Sequence, residues 1–309
     1  MQMEIKLSEL SEIKGIGKKT INRVKQYVKG KEEIKEKRNT SLKVDKLQTN
    51  AIHCGDNIKV MREKMPDNSI DLTVTSPPYD NLRDYEGEWD FNFKELAKEL
   101  YRVTKDSGVV VWVVADQTKN FCETLSSFKQ AVYFVEEAGF NLLDTMIYKK
   151  RSYPPAYPNL NRYANQFEYM FVFSKGKPGN FNKLKEPKQA SSIVDSKKSS
   201  YRKTDGSMFK TTIDASNEMK TKTNVWEFDV GYNKSSKDNF SHEHPATFPE
   251  QLAEDHIKSW SNEGDVVFDP MCGSGTTLKM AKKLNRKYIG IDISQKYCDI
   301  SKDRLAGDE

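Results

Sequence analysis

The apolar positions of this chain fall into short runs and helical stripes that alternate from about residue 50 to the C-terminus. Residues 50–54 predict a strand ending at Gly55-Asp56, residues 57–65 a helix closed by Pro66-Asp67-Asn68, and Ile70-Asp71-Leu72-Thr73-Val74 a second strand. Phe93, Leu96, Leu100 and Val103 repeat at helical spacing, residues 108–115 form an apolar strand, and residues 118–138 read as one long helix. Two further strands follow, at residues 142–148 and around Tyr169-Met170-Phe171-Val172-Phe173. After a long polar stretch the pattern resumes at Asn224-Val225-Trp226, with a helix over residues 251–260. Val266-Val267-Phe268 is a short buried strand after the turn signal Asn262-Glu263-Gly264-Asp265, and Leu278, Ala281 and Leu284 mark a helix over residues 276–284. Tyr288-Ile289-Gly290-Ile291-Asp292 is a last apolar run ending in a carboxylate. Continuous apolar strands alternating with helices predict an α/β fold, a mostly parallel sheet with helices on both faces.

Two stretches fall outside this rhythm. In the first, Leu10, Ile13, Ile21 and Val24 flank Gly15-Ile16-Gly17-Lys18-Lys19. Such a turn would offer backbone N–H groups and a helix start to a phosphate, with Lys18 and Lys19 adding charge; a plain amphipathic helical hairpin has the same pattern. Residues 29–39 are dense in both charges and read as a solvated helix or linker, which sets a domain boundary near residue 45. With 309 residues the chain can hold such a module beside one core of ~200 to 250 residues. The second stretch, residues 175–222, is rich in Lys, Ser, Thr and Asn and too poor in apolar residues to form a core piece alone.

Charge follows the same division. The net charge is only +5, but residues 1–50 hold 13 lysines and arginines against 7 acids, and residues 175–240 hold 14 against 8. Segregated positive charge beside a slightly acidic remainder is the footprint of phosphate contact at two places; two solvated polar surfaces would carry it equally. Lys197, Lys198, Arg202, Lys203 and Lys210 are the candidates for phosphate contact in the second stretch, against the alternative of a disordered insertion. No run of 18 apolar residues exists and no apolar segment follows the N-terminal charges, so a cytoplasmic protein without a membrane span is expected. Four cysteines without Cys-x-x-Cys spacing argue against zinc and a disulfide framework, and read as reduced packing residues.

The candidate chemistry lies where Phe268 runs into Asp269-Pro270-Met271-Cys272-Gly273-Ser274-Gly275-Thr276-Thr277. Glycines at a strand-to-helix corner let the backbone approach a ligand, and the helix start offers N–H groups to an anion. A phosphate-cradling loop would need Gly-Lys-Ser/Thr here, and a dinucleotide fingerprint a third glycine where Leu278 stands. Asp292 closes the next strand, where such folds present an acid to ribose hydroxyls. A ribose and a carboxylate together suggest S-adenosyl-L-methionine. The string from Asp269 to Thr277 resembles the cofactor motif of DNA amino-methyltransferases, and Ser76-Pro77-Pro78-Tyr79, after the strand at residues 70–74, resembles their catalytic motif. The Gly-Ile-Gly segment is similar to a helix-hairpin-helix.

The motif order, catalytic half, variable region, then cofactor half, resembles the circularly permuted beta group of that family, and the likeness covers residues 50–305. It implies a Rossmann-like methyltransferase fold over residues 46–309, with residues 175–224 as a target-recognition insertion and residues 1–45 as a DNA-binding module and linker. It further implies double-stranded DNA as substrate. Ser76, Pro77, Pro78 and Tyr79 would serve the transfer, with Ser76 Oγ and the Pro77 carbonyl holding the target amino group and Tyr79 stacking on an everted base. Asp292 would hold the ribose; Thr276, Thr277 and the Gly273–Gly275 backbone with Ser274 would receive the methionine carboxylate. Asp269, beside Pro270, would face the ammonium and Asp56 lie near the adenine. Serine at position 76 leans toward cytosine N4 within the family; adenine N6 is the rival reading, and a non-catalytic DNA-binding protein a distant one. His244, in His244-Pro245-Ala246-Thr247-Phe248-Pro249, reads as structural. No Pro-Cys nucleophile for carbon-5 methylation is present, so Cys272 reads as a small filler. A homodimer and a cognate restriction endonuclease are the partners implied by analogy.

Overall fold

In the computed structural model, residues 46–78, 91–152, 163–188, 192–230 and 248–307 are described. The chain divides between Asp45 and Lys46. The expected helix-hairpin-helix with Gly15, Gly17, Lys18 and Lys19 lies outside the described residues, as do Tyr79 and His244.

β1 (Ala51–Cys54), α1 (Asn57–Lys64) and β2 (Ile70–Thr75) open the domain, and α2 (Phe93–Val103) passes directly into β3 (Thr104–Val114). The two-residue strands β4 (Thr118–Lys119) and β5 (Cys122–Glu123) precede α3 (Ser126–Tyr133), which ends in a π-helical turn, Phe134–Ala138. β6 (Asn141–Lys150) and β7 (Phe167–Ser174) follow, then β8 (Lys185–Pro187), β9 (Val194–Arg202), β10 (Met208–Ala215), β11 (Met219–Thr221) and β12 (Val225–Phe228). The chain closes with α4 (Glu250–Trp260), β13 (Val266–Asp269), α5 (Thr276–Lys283), β14 (Lys287–Asp292) and α6 (Gln295–Ala306).

Eight strands form one sheet in the order β1-β14-β13-β2-β3-β7-β6-β12. β1, β14, β13, β2 and β3 are mutually parallel, β7 runs antiparallel to both β3 and β6, and β12 pairs parallel with β6. The sheet is thus mostly parallel, as expected. Its central strands are apolar throughout because both faces are covered. In β3, Val110, Trp112 and Val114 pack with Leu96, Leu100, Phe134 and Phe173 on one side. Val109, Val111 and Val113 face Leu252, Ile257, Trp260 and Met280 on the other. Phe268 and Val267 divide between the same two clusters. Each fully buried side chain of this size contributes about 1.5–3 kcal/mol.

Three expectations are corrected. The helix foreseen over residues 118–138 begins only at Ser126, because Asn120, Phe121 and Leu125 take left-handed backbone angles that no helix accommodates. Asp116 ties the new start, its carboxylate accepting from the Ser127 N–H at 3.0 Å. Residues 175–222 are not featureless: β9 pairs with β10, and β8 with β11, as nested antiparallel hairpins. Finally, Cys54 and Cys122 are exposed rather than packed; only Cys272 and Cys298 are buried. Among the described residues no helix is long and apolar enough to cross a membrane.

Side chains of α5 and of the turn before it press directly on the β14 backbone at Gly290. A Cβ on Gly290 would stand 2.4 Å from Leu278 Cδ1 and 3.0 Å from Cys272 Sγ. Gly290→Ala is therefore expected to cost about 1–3 kcal/mol by overpacking and to lower the thermal midpoint measured by calorimetry. An unchanged midpoint would show that α5 is not held this close.

Candidate active site

The site is built at the C-terminal ends of β13, β14, β2 and β1, which lie side by side in the sheet apart from the order in which the chain visits them. β13 ends at Asp269, and the chain then turns through Pro270 to Gly275 before α5. Gly273 and Gly275 both have left-handed φ, +49° and +78°, which glycine adopts at little cost. At Gly275 a side chain would also meet Ser301 Oγ at 2.8 Å.

This turn is held from behind by α6. Ser301 Oγ donates to the Gly273 carbonyl at 2.6 Å, and Arg304 Nη1 donates to the Ser274 carbonyl at 2.7 Å, to Ser274 Oγ at 3.1 Å and to Thr276 Oγ1 at 3.2 Å. The Arg304 side chain is 0% exposed, and its charge is met by Glu250 of α4 at 2.9 Å. Thr277 Oγ1 donates to the Val74 carbonyl of β2 at 3.0 Å. The hydroxyls of Ser274, Thr276 and Thr277, expected to face a ligand carboxylate, are thus engaged inside the fold. Ser301 and Arg304 were not foreseen; their spacing of three on a helix is the only sequence signal for them.

Two carboxylates, Asp292 and Asp269, end β14 and β13. Asp292 Oδ2 accepts from the Gly273 N–H and Oδ1 from the Ser294 N–H, both at 2.9 Å. Each oxygen keeps lone-pair capacity for a further donor. Burial raises its carboxyl above the ordinary value, while these N–H groups pull the other way. Asp269 is 2% exposed and accepts from Thr75 Oγ1 at 2.7 Å and the Met271 N–H at 3.1 Å. Burial pushes its carboxyl up to about 6 despite those bonds.

The Thr75 bond fixes the relation between the two halves of the site. β2 and β13 are paired in parallel, Leu72 opposite Val267 and Thr73 opposite Phe268, so they end together. Ser76 follows Thr75 directly, and is therefore one residue from a side chain in contact with Asp269. Ser76 and Pro78 are half-buried and Pro77 is buried. Proline after a strand cannot donate to a continuing ladder, so the chain leaves the sheet here and the edge opens.

From the other side Asn57 Nδ2 donates to the Pro270 carbonyl at 3.3 Å and Gly55 N–H to the Asp292 carbonyl at 2.9 Å. A pocket opens between Gly55, Asp56 and Asn57 on one wall and Pro270, Met271 and Asp292 on the other. Asp56 is exposed and spends one oxygen capping α1, accepting from the Lys59 N–H at 2.8 Å. Among the described residues no lysine or arginine lines the pocket. Its carboxylates suit hydroxyls and a cation, and its charge does not suit phosphate.

The remaining foreseen residues lie away from this edge, on β9, β10 and the turn joining them. Lys198, Arg202 and Lys210 share one face of the β9–β10 ribbon, since Ser200 opposes Lys210 and Arg202 opposes Met208 in register. The opposite face carries Lys197 and the contacting rings of Tyr201 and Phe209, 5.0 Å apart, with Lys203 Nζ 5.6 Å from the Phe209 ring centre. All these cations are exposed.

Comparison with known proteins is consistent across sequence and structure. A family model described as DNA methylase (N6_N4_Mtase) matches residues 70–303. The orphan methyltransferase M.BamHII of Bacillus amyloliquefaciens is 55% identical over 249 residues, which cover 79% of this chain and 92% of that protein. PvuII DNA methyltransferase, described as cytosine-N4-specific, shares the fold with a TM-score of 0.63 at 20% identity, covering 84% of this chain and 87% of that one. The M1.HpyAVI–SAM complex does so with a TM-score of 0.55 at 22% identity, covering 82% and 98%. With a glycine turn, the carboxylates of Asp269 and Asp292 and a Ser-Pro-Pro strand end converging on one edge of such a sheet, this chain belongs to the N6/N4 DNA methylase family and is a DNA methyltransferase.

Proposed function

We propose that this enzyme methylates the N4 amino group of cytosine in double-stranded DNA, with Ser76 and the Pro77 carbonyl shaping the accepting nitrogen. The observation that carries the reading is the Thr75–Asp269 hydrogen bond, which brings the Ser-Pro-Pro strand end against the cofactor turn. S-adenosylmethionine, the donor used in this family, supplies an electrophilic methyl group when bound. The acidic pocket, free of lysine and arginine among the described residues, fits its hydroxyls and positive charge. Asp292 accepts from the ribose hydroxyls, Asp269 faces the ammonium, Asp56 borders the adenine end, and the backbone from Gly273 to Thr277 faces the methionine carboxylate.

An exocyclic amino group is a poor nucleophile because its lone pair is delocalised into the ring. Ser76 Oγ and the Pro77 carbonyl each accept one of its N–H bonds, which draws the nitrogen toward tetrahedral geometry. The lone pair would then point at the incoming methyl; the nitrogen would gain a C–N bond as the methyl–sulfur bond of the donor breaks to leave a neutral thioether, and one amino proton would pass to solvent. Holding the partners in line can supply ~7 to 11 kcal/mol of the barrier. The target atom is unreachable inside a duplex, so the base is everted, with Tyr79 as the ring on which it stacks.

Phosphate contact falls to the β9–β10 ribbon, where Lys198, Arg202 and Lys210 make a basic face, and to Gly15, Gly17, Lys18 and Lys19 at the N-terminus. The chain order, β2 before β13, supports the circularly permuted group. Such an enzyme works on chromosomal DNA in the cytoplasm. Homodimer formation rests on analogy, and the orphan description of M.BamHII favours action without a cognate endonuclease.

Digestion of DNA methylated by the enzyme, followed by mass identification of the nucleoside, should give N4-methylcytosine; N6-methyladenine would overturn the base assignment and no product the transfer itself. Ser76→Ala should lower turnover by about ten- to a thousand-fold, as for loss of one transition-state hydrogen bond, with the cofactor KM little changed; unaltered turnover would remove Ser76 from the mechanism.

The Asp269 carboxyl, raised to about 6, must ionise to meet an ammonium. Donor affinity should therefore be flat above that pH and fall about tenfold per unit below it, whereas Asp269→Asn should bind weakly with no such slope. Calorimetric titration across pH 5 to 8 reads both, and a wild-type affinity independent of pH would sink this role. In the free protein the sign is opposite: a carboxyl raised above its unfolded value favours folding at low pH, and that contribution is lost as pH rises through about 6.

For the ribbon, Lys198→Ala, Arg202→Ala and Lys210→Ala together should flatten the dependence of log affinity on log salt by about 2 to 3. An unchanged slope in filter binding would place the phosphates elsewhere.

A further inference from the structure

Two thiols meet at the rim of the pocket without a part in the methyl transfer. Cys54 ends β1 directly opposite Asp292, is exposed, and its sulfur lies 3.8 Å from the Ile293 carbonyl. Cys298, buried in the first turn of α6, holds its sulfur 3.5 Å from the Asp292 carbonyl and 3.8 Å from the His53 carbonyl. Both sulfurs thus sit against the same short stretch of backbone, where β1 and β14 end side by side. The carbonyls of His53 on β1, of Asp292 at the end of β14 and of Ile293 just after it surround the two thiols. Cys272 is buried inside the turn and Cys122 sits on the separate β4–β5 hairpin.

We propose that Cys54 and Cys298 are an oxidation site: a peroxide converts them to a disulfide, and this bond turns off binding in the adjoining pocket. The second half rests on the reading of that pocket as the S-adenosylmethionine site; the first does not. The Cys54 sulfur attacks the peroxide O–O bond, becoming a sulfenic acid while the peroxide is reduced to water. The Cys298 sulfur then attacks Cys54, the S–O bond breaks, and the oxygen leaves as a second water carrying the Cys298 proton. Two thiols and one hydrogen peroxide give one disulfide and two waters. The order follows from exposure, since only Cys54 meets solvent. Burial pushes the Cys298 thiol up to about 12, which suits a resolving partner rather than a first site of attack.

The pocket feels the bond through Asp292. Its carbonyl receives both the Cys298 thiol at 3.5 Å and the Gly55 N–H at 2.9 Å, and Gly55 opens the wall formed with Asp56 and Asn57. A disulfide removes the thiol donor and draws the sulfurs to about 2.05 Å, shifting the end of β1 against β14. Asp292 and Gly55, on opposite walls, move relative to each other.

The full chain, treated with hydrogen peroxide and alkylated, should give a peptide linking Cys54 to Cys298, and S-adenosylmethionine affinity by calorimetry should fall about tenfold or more and recover with dithiothreitol. Cys54→Ser and Cys298→Ser should each show the same affinity before and after peroxide. Cys54 oxidised without a link, or linked only to Cys122 or to another chain, would overturn the site. A Cys54–Cys298 link with unchanged affinity would overturn the switch. Reduced protein that fails to bind S-adenosylmethionine would defeat the pocket reading and the switch with it, while the peptide map would still decide the bond.

Discussion

The hydrogen bond from Thr75 to Asp269 joins residues 194 apart in sequence inside the sheet, and the active edge depends on it. A hydroxyl donated to a buried carboxylate contributes about 1.5–3 kcal/mol, and the carboxylate left alone would cost more. Its geometric effect is larger than its energy. It makes β2 and β13 end at one level, so that the residue leaving the sheet after Thr75 and the turn leaving it after Asp269 face one space. Thr277, bonded to the Val74 carbonyl, repeats the link one residue back.

Around this link the fold separates rigidity from chemistry. Hydroxyls within the glycine turn are taken by α6 and β2, so the turn is held by its own side chains and by Arg304 from behind. A buried arginine without a counter-charge would be costly; Glu250 supplies it, at the start of a different helix. Of the two strand-end carboxylates, Asp292 lines the pocket and Asp269 is buried. Because burial raises both carboxyls, the fold disfavours two negative charges there, and a cation beside them would relieve that cost.

The glycine turn, Asp292 and Ser76-Pro77-Pro78 were legible because each is a contiguous string whose chemistry is local. Thr75, Ser301 and Arg304 were not, since their partners lie far off in sequence and an isolated Thr, Ser or Arg carries no period. Direction was equally hidden: Tyr169 to Phe173 is apolar on both faces whether its neighbour is parallel or antiparallel, and it proved antiparallel to β3 and β6. The late start of α3 escaped notice because Phe121 and Leu125 rarely adopt positive φ. Among its described residues the β9–β10 ribbon has no buried face, hence no hydrophobic alternation to read.

The excursion over residues 175–222 is pinned at both ends by lysines whose charge is spent inward. At its departure Lys175 Nζ donates to Asn68 Oδ1 and to the Tyr101 and Thr104 carbonyls at 2.6–3.1 Å, over the Tyr101 ring at 4.6 Å. At its return Lys222 Nζ meets Asp255 at 2.7 Å and the Trp226 ring at 4.8 Å. Close to the first of these pegs Phe181 stacks on Trp260 and Asn182 donates to the Lys258 and Ser261 carbonyls, so the anchoring extends inward and the exposed β9–β10 ribbon is the part that can change in sequence or length while the anchor points stay put. Under the proposed role in DNA contact, drift confined to this one exchangeable ribbon would alter what the protein binds and leave the strand-end residues untouched.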